Sequence, residues 1–204
     1  MTKNKIAFQG EAGAYSHIAC NEVFKEFIIK NCTSFEETFK LAYNDESYKI
    51  IIPLENSLAG RVADIHYLLT KYKLQVHAEH FQKVEHNLLV KTGATLKDIK
   101  FVRSHAQAIG QCQNIINKNK FKTIISADTA GSAKELSEND DNSIGAIASK
   151  LSAKIYNLDI LKENIEDDTG NVTRFLIMGK NVEQPEFDQN KKFITTCIFR
   201  LKSE

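Results

Sequence analysis

Long apolar runs are missing from this chain of 204 residues. No stretch approaches the roughly 20 residues that a membrane-spanning helix needs, so no membrane helix is expected. An excess of one charge is missing too: 27 Lys and Arg stand against 26 Asp and Glu, a formal net charge of +1. That balance leaves no basic footprint for nucleic acid. No secretory apolar region follows Met1-Thr2-Lys3-Asn4-Lys5, so the expected location is the cytoplasm. The scattered cysteines Cys20, Cys32, Cys112 and Cys197 form no C-x-x-C pair and no zinc spacing, which predicts reduced thiols and no metal. A phosphate-binding P-loop is absent, and Gly10 to Gly13 lacks the middle glycine of a dinucleotide fingerprint, so no cofactor is expected. Ser16, Ser57 and Ser104 lie outside any G-x-S-x-G context. Neither a pair of tuned carboxylates nor a Ser-His-Asp set can be assembled from local spacing.

What remains is an ordinary globular composition, 42% hydrophobic and 26% charged, in a chain long enough for a substantial core. Lys5 to Phe8 reads as a buried strand, and Tyr15 to Ile29 has helical spacing. Ser34 is placed to cap a second helix with acids behind it. Ile50-Ile51-Ile52 reads as a buried strand that Pro53 stops, and Leu58 to Leu69 returns to helical period. Strands over 74–81 and 85–90 follow. Beyond them strands at 101–103, 123–127 and 144–147 each precede a helical stretch: 105–117, 129–138 and one reaching Tyr156. Asn164 to Asn171 reads as a polar loop with solvated acids at Glu166, Asp167 and Asp168, and Arg174 to Met178 as a last strand. Strands alternating with helices predict an α/β fold with largely parallel pairing.

Several junctions share one character: Gly10-Glu11-Ala12-Gly13-Ala14-Tyr15-Ser16, Glu55-Asn56-Ser57-Leu58-Ala59-Gly60, Ser104-His105-Ala106-Gln107, Asp128-Thr129-Ala130-Gly131 and Ala148-Ser149. Each offers small residues, a hydroxyl or amide, and an expected helix N-terminus with free N–H groups, which attracts anions. Taken singly, each is an ordinary cap; together, at the carboxyl ends of parallel strands, they suit a ligand site. Thr173-Arg174 adds a hydroxyl donor beside a guanidinium able to grip a carboxylate bidentately. His105 opens a helix and reads as a locally bonded side chain, and His77, His80 and His86 read as surface or core residues. Hydroxyls, amides and one arginine suit a reaction whose substrate is primed to collapse, where the protein orients it and assists a leaving group.

In order along the chain, Gly10-Glu11-Ala12-Gly13-Ala14-Tyr15-Ser16, Pro53-Leu54-Glu55-Asn56-Ser57 with Gly60, Ser104-His105-Ala106-Gln107-Ala108 with Gln111-Cys112, Asp128-Thr129-Ala130-Gly131-Ser132-Ala133 and Asn171-Val172-Thr173-Arg174-Phe175 resemble the motifs of the prephenate dehydratases. Ala106 stands where that family usually has proline. The resemblance implies a carbon–oxygen lyase of phenylalanine biosynthesis that converts prephenate to phenylpyruvate, CO2 and water. It implies Thr173 and Arg174 as catalytic residues, and Asn56, Ser57, Ser104, Gln107, Gln111, Thr129 and Phe175 lining the substrate site. The implied fold has two α/β lobes with a central cleft, like a type II periplasmic binding protein. Lobe one would take 1–81 plus 173–180 and lobe two 82–172, with 181–204 a linker and the start of a truncated phenylalanine-binding ACT domain. A homodimer or homotetramer is implied as well, with phenylalanine bound only through the missing ACT domain. Two alternatives stay open: an arogenate dehydratase, and a non-catalytic small-anion binding module of the same fold.

Overall fold

The computed structural model describes residues 4–181, 186–190 and 192. Two sheets organise it. The first is built on β1 (Lys5–Gln9), β2 (Ile28–Cys32), β3 (Tyr48–Asn56), β4 (Gly60–Arg61), β5 (Gln75–Lys83) and β11 (Val172–Gly179), in the order β2-β1-β3-β11-β5 with β4 paired to β3. The second, in the order β10-β6-β9-β7-β8, uses β6 (Asn87–Val90), β7 (Phe101–Ser104), β8 (Lys122–Ile125), β9 (Ile144–Ala148) and β10 (Asp159–Lys162). The chain therefore crosses between sheets twice, after β5 and before β11. The two crossings hydrogen-bond to each other: Val84 N donates to Asn171 O, and Ile165 N to His86 O.

Alternation along the strands decides which helix covers which face. Ile50 and Ile52, with Leu176 and Met178, point to the face covered by α2 (Phe35–Asn44) and α3 (Asp64–Tyr72), where Phe39, Ile65 and Leu68 close the core. Ile51, Phe175 and Ile177 point the other way and pack under α1 (Tyr15–Val23) against Ile6, Phe8 and Cys20. Each large apolar side chain so buried is worth about 1.5–3 kcal/mol. The second sheet repeats the plan. Leu88, Val102 and Ile147 pack against α4 (Ala106–Gly110) and α5 (Gln113–Asn119), and Leu89, Ala146 and Ala148 against α6 (Thr129–Glu138) and α7 (Lys150–Ile155).

Several sequence expectations are corrected. The helix from Tyr15 ends at Val23, and Ile28–Cys32 is an edge strand. Pro53 does not stop β3; the strand runs on to Asn56 through a register shift opposite Arg174 and Phe175. The Glu55-Gly60 junction is a strand-to-strand turn, and the helix after it begins at Asp64. The helix expected over 105–117 is two helices, because the Asp167 carboxylate accepts from Gln113 N and Asn114 N and starts α5 afresh. Strand β10 was not expected. Pairing is mixed: β1-β2, β1-β3, β7-β8 and β7-β9 are parallel, while β11, β6, β10 and β4 pair antiparallel. The expected ACT strand over 192–202 falls almost wholly outside the described residues, as does Cys197. Cys20, Cys32 and Cys112 are buried free thiols, as read.

Candidate active site

Parallel strands bring their carboxyl ends to one edge, and antiparallel β11 brings its amino end to the same edge, so Thr173 pairs with Asn56. Two residues of β3, Glu55 and Leu54, fall between the partners of Thr173 and Phe175, which are Asn56 and Pro53. This bulge turns Asn56 onto the same face as Pro53, although three positions separate them. Between the two halves lies a cleft of about 360 Å3, within the range of small-molecule sites. Gln9, Gly10, Tyr15, Ser16, Pro53, Asn56, His86, His105, Gln107, Gln111, Asp128, Thr129, Asn171, Thr173 and Phe175 are on its wall. Among the described residues, no lysine or arginine is.

A chain of side-chain hydrogen bonds crosses this wall. Asn56 Oδ1 accepts from the backbone N–H of Leu58 (3.0 Å) and Ala59 (2.9 Å), which fixes the amide so that Nδ2 faces β11. Nδ2 then donates to Thr173 Oγ1 at 2.9 Å and to Asn171 Oδ1 at 2.7 Å. Asn171, fully buried, donates through its own Nδ2 to Gln111 Oε1 at 2.8 Å. His86 Nε2 stands 2.9 Å from the same oxygen, and His86 Nδ1 stands 3.0 Å from the Tyr15 hydroxyl. The Tyr15 hydroxyl also lies 2.7 Å from Glu85 O. Burial pushes the His86 ring below its ordinary pKa, opposed by the Gln111 hydrogen bond and the Glu166 charge. The Tyr15 hydroxyl is pushed well above its ordinary value, chiefly by burial and then by Glu166.

A profile described as prephenate dehydratase matches residues 6–183. The chain belongs to the prephenate dehydratase family. The chloroplastic arogenate dehydratase/prephenate dehydratase 1 of Arabidopsis thaliana is 39% identical over 201 residues, which cover 98% of this chain and 51% of that protein. The bifunctional N-acyl-homoserine lactone acylase/prephenate dehydratase of Komagataeibacter europaeus is 37% identical over 199 residues, 98% of this chain and 70% of that one. Among solved structures, the prephenate dehydratase of Arthrobacter aurescens in complex with L-Phe superposes with a TM-score of 0.82 at 26% identity, covering 90% of this chain and 63% of that one. The Staphylococcus aureus prephenate dehydratase gives 0.76 at 28% identity, covering 91% and 69%. The chain thus spans about half the length of the plant relative.

Within this dehydratase frame the expected site residues separate into groups. Thr173, Asn56, Gln107, Gln111, Thr129 and Phe175 converge on the cleft. Phe175 is also a core anchor, 1% exposed. Ser104 does not reach the cleft wall: it is fully buried and its hydroxyl donates to Ile147 O at 2.7 Å, tying β7 to β9. Ser57 braces the start of β11, donating to Gly170 O and accepting from Val172 N. Arg174, next to Thr173 on a strand, faces the other side of the sheet. Its guanidinium bridges Glu79 and Glu55 at 2.7 and 3.1 Å, and the expected free carboxylate grip is not there. Ser149 is withdrawn as well, since it donates to Gly13 O at 2.6 Å. Sequence reading passed over Tyr15, Asn171 and Glu166 as site residues and left His86 without a partner. Glu166 is buried and accepts from His86 N; Asp167 caps α5. Neither is the solvated acid that a run of charges suggests.

Proposed function

We propose that this chain performs the dehydratase chemistry of its family on prephenate. The bond between the ring carbon and its carboxylate breaks and leaves CO2, and the electron pair enters the ring. The ring C–O bond breaks, and the departing oxygen takes up one proton to become water. Phenylpyruvate remains, and one proton is consumed from solvent. Aromatisation supplies the driving force, so the protein has to orient the dianion and assist the leaving oxygen.

The observation that carries this reading is the state of the Thr173 hydroxyl. It accepts from Asn56, and no acceptor among the described residues takes its proton, which leaves that proton for the cleft. An alcohol is too weak an acid to titrate here, so Thr173 serves as a positioned donor and proton conduit. With no lysine or arginine on the wall, Gln107, Gln111, Thr129 and the N–H groups opening α1 and α6 receive the negative charge. Incubation with prephenate, followed by the ultraviolet absorbance of phenylpyruvate in alkali, tests the proposal. Absence of product from folded protein would exclude it.

Arogenate is the second reading. Asp128 is the one aspartate or glutamate on the described cleft wall. Its Oδ1 is taken by Gly131 N, which leaves Oδ2 to face an ammonium group that prephenate lacks and arogenate carries. Turnover of the two substrates side by side decides between them.

A further inference from the structure

A second cavity adjoins Tyr15. It measures about 580 Å3, larger than the substrate cleft, and Tyr15 stands on the walls of both. Tyr15, Ile18 and Glu22 share one face of α1 and form one side of it, continued by Lys25. The end of β5 and the crossing after it supply Lys83 and Glu85, and α7 supplies Lys150, Leu151 and Lys154. Both halves of the molecule build this cavity, as they build the cleft, but its charge differs. The described cleft wall has no lysine or arginine, whereas this wall has four lysines. Lys83 is held by Glu85 and Lys150 by Glu163, each at 2.7 Å. Glu22 stands 3.4 Å from His80 Nε2. Lys25 and Lys154, one from each half, have no ion-pair partner among the described residues.

We propose that this second cavity binds a small organic monoanion, a carboxylate carried on an apolar body, with Lys25 and Lys154 receiving the carboxylate. The charges on the wall set the valence. Four ammonium groups face Glu22 and Glu85, and Glu163 takes Lys150 from outside the wall, which leaves one positive charge uncompensated. Ammonium groups without partners in one partly enclosed site repel each other, and a carboxylate between them removes that cost. Glu22 and Glu85 work against an anion of higher charge, such as phosphate. The apolar part of the wall sets the rest of the ligand. Ile18 and Leu151 are half-buried and line the cavity together with Tyr15. The lysine stems add methylene surface beside them. An alkyl or aryl group laid there leaves water while its carboxylate stays at the ammonium groups. Nothing in this assignment depends on the dehydratase reading, because the cavity holds none of the groups assigned to the reaction.

The probe is 3-phenylpropanoate, which has the carboxylate and the apolar body but neither the ring hydroxyl nor the ring carboxylate that a dehydratase removes. Titrated into the 15N-labelled chain, it should bind with a Kd of about 1 mM or tighter, as a ligand of this size does at modest efficiency. The backbone amide signals that move should centre on Ile18, Lys25, Lys83 and Leu151. Shifts centred on Gly10, Gln107 and Thr129 would put the probe in the substrate cleft and overturn the proposal, as would the absence of any shift. Acetate has the charge without the body and should bind about tenfold more weakly. A difference from acetate below about threefold, or tighter binding of inorganic phosphate, would reduce the cavity to a patch of lysines and sink the proposal. Lys25→Gln combined with Lys154→Gln removes both unpaired ammonium groups, which are exposed, so the fold should be retained. Affinity for the probe should fall about fivefold, and a loss below about twofold would take the two lysines out of the site. Binding is read without turnover, so a chain that binds the probe here and leaves prephenate unconverted faults the dehydratase reading alone.

Discussion

Thr173 and Arg174 are neighbours in sequence and point to opposite faces of β11, so replacing them should have opposite consequences. Thr173→Ala removes the one hydroxyl that Asn56 presents to the cleft. The loss of a positioned donor lowers turnover by about 10²–10³-fold, and we expect a fall of that size in kcat with an unchanged urea midpoint. Near-parental turnover would remove Thr173 from the mechanism. Arg174→Gln instead breaks the bridge between Glu55 and Glu79 that clamps β3 and β5 onto β11. These partners are partly exposed, so solvent screening limits the stability cost to about 1 kcal/mol. The KM for prephenate should stay within about threefold, since the guanidinium is already engaged, in keeping with the small worth of rim charges. A rise in KM of tenfold or more, with stability retained, would show that Arg174 leaves its glutamates for the substrate.

At the scale of elements, local signals were legible where one short segment settles its own hydrogen bonds. Ser34 caps α2 by accepting from Glu37 N, and the Glu37 carboxylate reaches back to Thr33 N and Oγ1, a reciprocal arrangement close to a capping box. Ser34→Ala should therefore cost about 1 kcal/mol in urea denaturation, and a loss of a few tenths or less would mean that tertiary packing alone holds the helix end. Helix α6, capped by Asp128 accepting from Gly131 N, was read for the same reason. Elements that depend on partners far along the chain were not legible. β2 and β10 lie at sheet edges and bury little, so neither shows strong alternation. Pro53 looked like a stop because a bulge set by pairing with Phe175 leaves no local mark. The site follows the same division. Asn56, Gln107, Gln111, Thr129 and Thr173 lie in short motifs and were found. Tyr15, His86 and Asn171 join through contacts spanning 25 to 115 positions, and no local spacing marks them.

Across the whole molecule, the cleft keeps its shape because the loop before α1 is bonded directly to the other half. Gly13 O accepts from Ser149 Oγ at 2.6 Å and Ser152 Oγ at 3.1 Å, and Ala12 O accepts from the Tyr156 hydroxyl at 2.9 Å. Gly13 adopts φ +95°, where side chains are strained, and a Cβ there would stand 2.8 Å from the Cα of Ser152. Two independent costs thus fall on Gly13→Ala, and together they should exceed about 1 kcal/mol, since alanine at positive φ destabilises by more than the usual glycine gain. Shortening Ser152 to glycine in the same protein removes the hydroxyl from the clash but leaves its backbone atom and the strained φ in place. Most of the loss should therefore persist in the double variant. The damage should also reach catalysis, because Tyr15 and Ser16 open α1 two and three residues later and stand on the cleft wall. Measured where each variant is fully folded, kcat/KM should fall in Gly13→Ala. A parental urea midpoint together with parental kcat/KM would mean that the halves can part at Gly13 without disturbing the site, and that the serine contacts on α7 do not set the width of the cleft.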